Sequence, residues 1–523
     1  MTDIFSVSVG APAARKWTCS RVFGISVYVA LTAVALLSVP NMIWDDVNHH
    51  VVVVVGALGL WRFGWWGTHA VRAWIFYHFV YPMMRTAADQ VWANGARPTR
   101  VHFMMTTFRE RPEITTSVVQ SIIAEARSTG LPTTIWLGSG DASDEDLIAG
   151  LVESEAADLD LDLVIARQDR PGKRYAIGIA LRAMRRHGIH RDDIVVFMDG
   201  DAIIAPGMIS KCVPLFLADP TLEALTTDED VVVHGPRWVA LWLKMRFAQR
   251  RIAMQSHALA GKVLTLTGRL SVFRAHHITR AEFIEMLEED HLEHWLWGRF
   301  RFLSGDDKST WYFMLCQGAK MTYVPDALSI TIEHIEGSGY ERMVQNLRRW
   351  SGNMLRNGSR AIALGPRKVG FFIWWCVVDQ RIAMWTTLVS PIFAIVMSVL
   401  VSFSFLTAYI AWIMLTRLLQ SVVLWRYAGE PNLSFPILLY VNQILNASVK
   451  VYCLFRLSKQ RWTNRGDQRA GFGGTFVDRV RNVVASYLTT VAMVGLAIAL
   501  VSYSQVLRLP TQYTFMSLIG SLP

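Results

Sequence analysis

Ile194-Val195-Val196-Phe197-Met198-Asp199-Gly200-Asp201 is the segment on which the reading of this chain turns. Its apolar run, rich in β-branched residues, reads as a strand buried on both faces, and it stops at an acidic pair. Residues i and i+2 of a strand point to one side, so Asp199 and Asp201 can face a single cation. Gly200 between them lets a ligand approach the backbone closely. A hard divalent ion held by one or two carboxylates, and completed by phosphate oxygens, is the usual magnesium arrangement. The plainer reading of the same tripeptide is a solvated turn, and its surroundings must decide.

Outward from this segment, strands alternate with helical patterns. Residues 101–108, 133–137 and 161–167 are β-rich, while 113–129 and 175–187 carry helical periodicity. That order predicts an α/β domain with a mostly parallel sheet. Ligands of such sheets bind beyond the carboxyl ends of the strands. The polar clusters fall there: 106–111 with Thr107, Arg109 and Arg111, then Gly140-Asp141-Ala142-Ser143-Asp144, then 167–174, then the Asp199 turn. Gly172-Lys173-Arg174 stands at a loop-to-helix junction, where a helix N-terminus can hold phosphate; a solvated pair of charges is the plainer alternative. No G-x-G-x-x-G opens the first helix and no G-x-x-x-x-G-K-[ST] occurs, which excludes dinucleotide and P-loop readings.

Farther out the chain turns apolar. Of 523 residues, 52% are hydrophobic and 18% charged, against roughly 25% charged in soluble proteins. A disordered chain or nucleic-acid tail is excluded, and no nucleic-acid partner is expected. The net charge of +10 suits an anionic membrane face or an anionic substrate. Five scattered cysteines without a C-x-x-C pair read as reduced thiols. Residues 23–43 carry no charge, long enough to cross ~30 Å of hydrocarbon. Arg15, Lys16 and Arg21 precede them and Asp45 and Asp46 follow, which predicts a cytoplasmic amino end. A second apolar run from Val51, with Arg62 and three tryptophans, is expected to return the chain, and 69–84 to lie at the interface.

Later spans are expected at 382–403, 406–425 and 482–507, five in all. The run 436–454 contains Asn442, Gln443, Asn446, Ser448 and Lys450. As a span it would put the basic loop 456–481 outside, so it is expected to be interfacial or to line a polar path. The division that follows is 1–99 for two membrane helices and an interfacial helix, and 100–345 for a cytoplasmic domain. Residues 346–381 are then interfacial helices and 382–523 a membrane region.

Two further constellations carry chemistry. In Gly305-Asp306-Asp307-Lys308, adjacent carboxylates would repel in a buried site and raise one pKa, which suits a general base; a helix N-cap is the plainer reading. In Asn346-Leu347-Arg348-Arg349-Trp350, arginine can clamp a diphosphate and tryptophan can stack on a sugar. A basic amphipathic helix lying on anionic lipid fits the same residues.

The order of strand-end D-x-D, later G-D-D and basic R-W resembles the processive family 2 glycosyltransferases, which include cellulose, chitin and hyaluronan synthases, over residues 100–360. The resemblance implies a GT-A-like domain inserted between membrane helices. It implies a cation on Asp199 and Asp201, and catalysis by Asp307 with Asp306 beside it. It places Thr107, Arg109, Asp141, Lys173, Arg174, Asp199 and Arg349 at the donor, and Gly268, Arg269 and Trp350 at the acceptor. Asn346 stands where the family's Q-x-x-R-W has glutamine, and Gln345 comes one residue early.

A narrower likeness exists. Arg246-Phe247-Ala248-Gln249-Arg250, Thr267-Gly268-Arg269-Leu270-Ser271, Tyr323-Val324-Pro325-Asp326-Ala327 and Asp379-Gln380-Arg381 resemble the bacterial mannuronan synthases of alginate formation. That likeness implies GDP-mannuronic acid as donor, Mg2+ or Mn2+ as cofactor, and a growing β-1,4-polymannuronate passed across a bacterial inner membrane among its lipids. It also implies a PilZ-type partner subunit that senses cyclic di-GMP. The chain's own Arg461-Trp462-Thr463-Asn464-Arg465 lacks the D/N-x-S-x-x-G that would complete such a sensor, so control is expected from another polypeptide. A uronate donor calls for added positive charge, and Arg109, Arg111, Lys173, Arg174, Arg269 and Lys308 are the candidates. The competing readings are a synthase of another polysaccharide from a different sugar nucleotide, and a membrane transporter or receptor with a nucleotide-sensing domain.

Overall fold

The first helices among the described residues are α1 (Cys19–Leu37), α2 (Asp46–Ile75) and, after a π-helical turn over Phe76–Val80, α3 (Tyr81–Ala93). The next stretch alternates strand and helix, with α5 added to the elements the sequence predicts: β1 (Val101–Thr107), α4 (Pro112–Thr129), β2 (Thr133–Ser139), α5 (Ala142–Glu155), β3 (Leu161–Arg167), α6 (Lys173–His187) and β4 (Ile194–Asp199). It continues through β5 (Ala202–Ile204), α7 (Met208–Ala218), β6 (Leu222–His234), α8 (Arg237–Ala258), β7 (Leu270–Arg274) and α9 (Ala281–Glu289). The hairpin β8 (His291–His294) and β9 (Gly298–Arg301) follows, then α10 (Asp306–Cys316) and β10 (Lys320–His334). Four long helices come next: α11 (Gly339–Val369), α12 (Phe371–Leu400), α13 (Ser404–Ala428) and α14 (Ser434–Leu454). A small hairpin, β11 (Gln460–Trp462) and β12 (Gln468–Ala470), leads to α15 (Phe476–Tyr503). The structure is a computed structural model that describes residues 18–40, 43, 46–462, 468–471 and 473–503. Arg15, Lys16, the loop 463–467 with Arg465, and the end of the last expected span lie outside the described residues.

Eight strands form one sheet in the order β3-β2-β1-β4-β7-β6-β10-β5. Every residue of β1 and β2 is buried, because helices cover both faces and leave no polar side for the strands to show. The sheet is parallel except at β7, antiparallel to both neighbours, and at β5. The reversal of β7 has a functional consequence: Met198 pairs with Leu270, so the loop through Gly268 and Arg269 meets the end of β4 at Asp199.

Among the described residues, five helices are long and apolar enough to cross a membrane: α1, α12, α13, α14 and α15, the last over Phe476–Ser502. Four of them overlap expected spans, and the fifth, α14, is the segment expected to be interfacial or to line a polar path. α14 is one continuous apolar helix in spite of its amides, two of which bond inside the bundle: Asn442 accepts from Trp242 and Asn446 from Ser351. α2, where the second span was expected, carries Arg62, His69 and Arg72 in its second half, which bond to Asp379, Ser256 and the Ser256 carbonyl.

The boundary expected at 345/346 falls inside α11. No proline occurs in this helix before Pro366, and its backbone breaks only at Gly365, with φ of 80°. α11 therefore runs unbroken from the sheet into the helical bundle, packing on α10, α12 and α14.

One buried contact joins sheet-side helices independently of the site. Glu125 of α4 is 2% exposed and accepts from the amides of Gly207 (2.5 Å) and Ile209 (2.7 Å), so it caps α7. Glu125→Ala leaves those buried donors unpaired, at a cost of about 1–3 kcal/mol. The apparent melting temperature in detergent is expected to fall by several degrees; an unchanged one would mean that water replaces the cap.

Candidate active site

The carboxyl ends of β1, β4 and β10 and the start of α11 enclose a cleft of about 700 Å³. Asp199, Gly200 and Asp201 form its floor beside Thr107 and Lys173. Gly200 is required there by contact rather than by dihedral angle: a Cβ would stand 2.5 Å from the Thr106 carbonyl oxygen. That carbonyl also accepts the Gly200 amide at 3.1 Å. Gly268 borders the same floor, its Cβ position 3.4 Å from Asp199 Oδ2.

Lys173 joins the two acidic motifs. Its Nζ lies 2.6 Å from Asp199 Oδ1 and 2.8 Å from Asp306 Oδ2. Burial disfavours its charge, yet the two carboxylates outweigh that and hold its pKa above the usual lysine value. Burial pushes Asp199 up to about 6; Lys173 pulls it back, and Asp201 and Asp306 add to the rise. Burial also works against ionisation of Asp306, but Lys173 and Arg174 outweigh it and leave its carboxyl below the ordinary range. Asp307 goes the other way: burial first, then the Asp306 charge, push its pKa up, and Lys308 and Lys173 offset that only in part. The two adjacent carboxylates thus titrate apart, as the G-D-D spacing predicted, and they also occupy the first turn of α10. The N-cap of that helix is Gly305, with φ of 88°, rather than either aspartate.

Asp199 and Asp201 offer hard oxygen ligands, and the ammonium of Lys173 against Asp199 shows that this point attracts a cation. The residues fit a hard divalent ion of the magnesium or manganese kind.

The structure distributes the other expected residues unevenly. Thr107, Arg111, Lys173, Arg269 and Arg349 line the cleft. Arg109 stands at its mouth, 71% exposed at the side chain, with Nε 3.0 Å from Asp141 Oδ2. Its backbone φ of 52° lies in the left-handed region, held there by the Asp144 carboxylate, which accepts the Arg109 amide at 2.8 Å and the Thr107 hydroxyl at 2.9 Å. Asp141 caps α5 through Ser143, and hydrogen bonds from Ser143, then Arg109, hold its pKa low. Arg174 does not reach the cleft. It is 4% exposed and donates to the carbonyls of Leu287 and Ser304 and to the Ser309 hydroxyl, so it supports the G-D-D turn from beneath. Lys308 likewise points away, to the Leu264 carbonyl, and burial lowers it to about 8.

Ser338, the N-cap of α11, and Arg342, Gln345 and Arg349 on the helix recur at helical spacing and face the cleft together. Asn346 is 4% exposed and turned elsewhere. The glutamine one residue early is therefore the one that reaches the site. Trp350 follows on another face, stacked on Trp242 with centroids 6.0 Å apart and planes at 24°. Asp144 and Arg342 were not singled out in the sequence for these roles; Asp144 had only its place at a strand end to mark it.

Two relatives match nearly the whole chain. Glycosyltransferase alg8 of Pseudomonas syringae pv. tomato is 37% identical over 86% of this chain and 92% of its own. Glycosyltransferase alg8 of Azotobacter vinelandii is 38% identical over 84% and 88%. The family described as glycosyltransferase like family 2 matches residues 98–353. Among solved structures, a mannosyltransferase from Pyrobaculum calidifontis, in complex with GDP-Man and Mn2+, covers 76% of this chain and 98% of its own at 17% identity and a TM-score of 0.42.

The Gly200 contact gives a direct test of the floor. Gly200→Ala is expected to weaken nucleoside-diphosphate binding, measured by calorimetry on the detergent-solubilised chain, by about tenfold or more, the loss of one good contact. Gly150→Ala, where a Cβ meets nothing within 4 Å, is expected to leave it unchanged. Equal effects of the two would remove Gly200 from the binding floor.

Proposed function

The chain belongs to family 2 of the glycosyltransferases and is a glycosyltransferase; from that premise we propose that it polymerises mannuronic acid from GDP-mannuronate into β-1,4-polymannuronate and passes the polymer across the bacterial inner membrane. The observation that carries the transfer chemistry is the junction of the strand-end acid pair with the G-D-D turn: Lys173 bonds Asp199 and Asp306, and Asp307, next in the chain and of raised pKa, lines a small recess that shares Asp199 and Lys173 with the cleft. The likeness to the two alg8 glycosyltransferases over most of both chains supports the donor and product. The apolar helices on either side of the sheet support a membrane setting, with the transferase domain on the cytoplasmic side where sugar nucleotides are made.

In this reading the donor diphosphate lies over Gly200, where Asp199 and Asp201 would hold a divalent cation that would supply neutralising charge. Arg349 reaches the same cleft from α11, as a guanidinium suited to phosphate oxygens. Asp307 takes the proton of the acceptor hydroxyl as that oxygen bonds to the sugar C1. The C1–O bond to the diphosphate breaks on the opposite face, GDP departs with the bonding pair, and the anomeric configuration inverts. Burial is what fits Asp307 to this task, because a base with a pKa nearer the working pH drives the transfer better. Of the cations considered for the uronate, Arg111, Lys173 and Arg269 are in the cleft. Control by cyclic di-GMP belongs in this proposal to a separate PilZ-type subunit.

Purified chain with radiolabelled GDP-mannuronate and Mg2+ or Mn2+ is expected to give polymer, and Asp199→Asn or Asp201→Asn to abolish it. Turnover of another sugar nucleotide in its place would reassign the donor. Asp307→Asn is expected to keep GDP-mannuronate binding and lose turnover. The sign of the pH dependence follows from the raised pKa: Asp307 must be ionised to act, so kcat falls as pH drops through a value above the ordinary carboxyl pKa of 3.8. An acid limb at or below that ordinary value would take the base role from Asp307.

A further inference from the structure

Three donor side chains from three helices converge away from the cleft. His69 of α2, His257 of α8 and Cys376 of α12 each bring a ligand atom to within 4.8 Å of the other two. The two imidazole rings stand 5.4 Å apart, centre to centre, with planes at 84°. Rings bound through nitrogen to one ion, at about 2 Å each, would stand about 5 Å apart. His69 Nδ1 lies 2.8 Å from the Ser256 hydroxyl, which leaves Nε2 for a ligand and fixes the ring, as an outer partner does at metal sites. His257 is 4% exposed, and its Nδ1 has no hydrogen-bond partner among the described residues. Burial first, then the charges of His69, Lys308 and Arg72, hold its pKa well below the usual histidine value. The ring is therefore neutral, the form that binds a metal. Cys376 is a free and buried thiol.

Softness and charge decide the kind of ion. A thiolate with two imidazoles suits copper or zinc, not magnesium or manganese. Arg72 already stands beside the site, bonded to the Ser256 carbonyl and 3.7 Å over the Phe372 ring, and the Lys308 charge also reaches His257. A divalent ion would add to those charges even after the thiol gives up its proton. A monovalent ion would not: the Cys376 S–H proton leaves to water, a sulfur–metal bond forms in its place, and the net charge of the site is unchanged. Three donors also suit Cu+, whereas structural zinc is held by four. Phe372 meets both imidazole rings and Trp65 meets His69, so the surroundings are apolar. A second group of donors, Glu223 with His276 and His277, lacks sulfur and has Arg274 3.8 Å from its carboxylate, which makes it the poorer host for a soft ion.

We propose that His69, His257 and Cys376 bind a soft monovalent metal ion of the Cu+ kind, distinct from the hard cation of the cleft. The ion fastens α2 and α12 to α8, a helix that packs on β6 and β10, and so ties the helical bundle to the sheet. This site is independent of the sugar donor and of the transfer chemistry.

The test uses the full chain in detergent, carrying Cys19→Ser because Cys19 is exposed, with Cu+ presented against the chelator bicinchoninate. A single ion per chain is expected to be retained, and X-ray absorption to show one sulfur and two nitrogen ligands, a readout that needs no change at the site. Cys376→Ser and His257→Gln are expected to surrender the ion to the chelator, and Ser256→Ala to hold it about tenfold more weakly. Cys453→Ser, at another buried thiol, is expected to keep it. Loading is also expected to raise the apparent melting temperature of the unaltered site by several degrees and not that of Cys376→Ser. Failure to retain copper, a copper spectrum without sulfur, or full retention in Cys376→Ser overturns the site. Displacement of Cu+ from its sulfur ligand by Zn2+ overturns the monovalent assignment, and an unchanged melting temperature overturns the fastening role.

Discussion

A single ammonium group ties this protein's two acidic motifs together. Lys173 is the first residue of α6, and its Nζ lies within 2.8 Å of oxygens from Asp199 and from Asp306. Those carboxylates come from the end of β4 and the start of α10, elements far apart in the chain. Two bare carboxylates about 4 Å apart would repel by about 4 kcal/mol at an effective dielectric of about 20, enough to open the floor of the cleft. The next residue works on the same turn from the other side, with Arg174 bonding Leu287, Ser304 and Ser309 beneath it. One dipeptide thus sets both the charge and the position of the G-D-D turn. Its burial, in turn, separates the titrations of Asp306 and Asp307.

The second coupling is mechanical. α11 presents Gln345 and Arg349 to the cleft, sets Asn353 against Gly305 and Ser304 two turns of chain later, and sends Arg356 to the Leu457 carbonyl. A residue larger than glycine at 305 would strike the Asn353 amide, and the φ of 88° there disfavours one as well. The small hairpin closes the circuit: Gln460 accepts from the Leu303 amide and donates to Arg301, while Gln468 lines the cleft. Site and helical bundle are therefore one connected framework. A shift of α11 along its axis would reach the cleft, the catalytic turn and the bundle together.

Much of this was legible in the residues. Six of the seven elements from β1 to β4, all but α5, follow from apolar runs and turn signals, and β3 begins and ends where its pattern does. The acid pair and the G-D-D turn were visible because their spacing carries chemistry of its own. What escaped has physical causes. The reversed β7 is set by pairing with β4 and β6, which no local pattern encodes. Arg174 looks like a phosphate ligand beside Gly172 and Lys173, and only packing against three acceptors shows it to be a prop. Gln345 was hidden by a motif that puts the glutamine one place later; the angle around α11 decides which residue faces the cleft. The amides of α14 argued against a spanning helix, since partners such as Trp242 cannot be seen from the sequence.

The claim that Lys173 couples the two acidic motifs is tested most directly by a double-mutant cycle on sugar-nucleotide turnover with Lys173→Met and Asp306→Asn. If the ammonium serves by holding Asp306 in place, the double variant loses no more than the worse single one. Losses that simply add would show that the two residues act independently, and the account of the site as one electrostatic unit would fail.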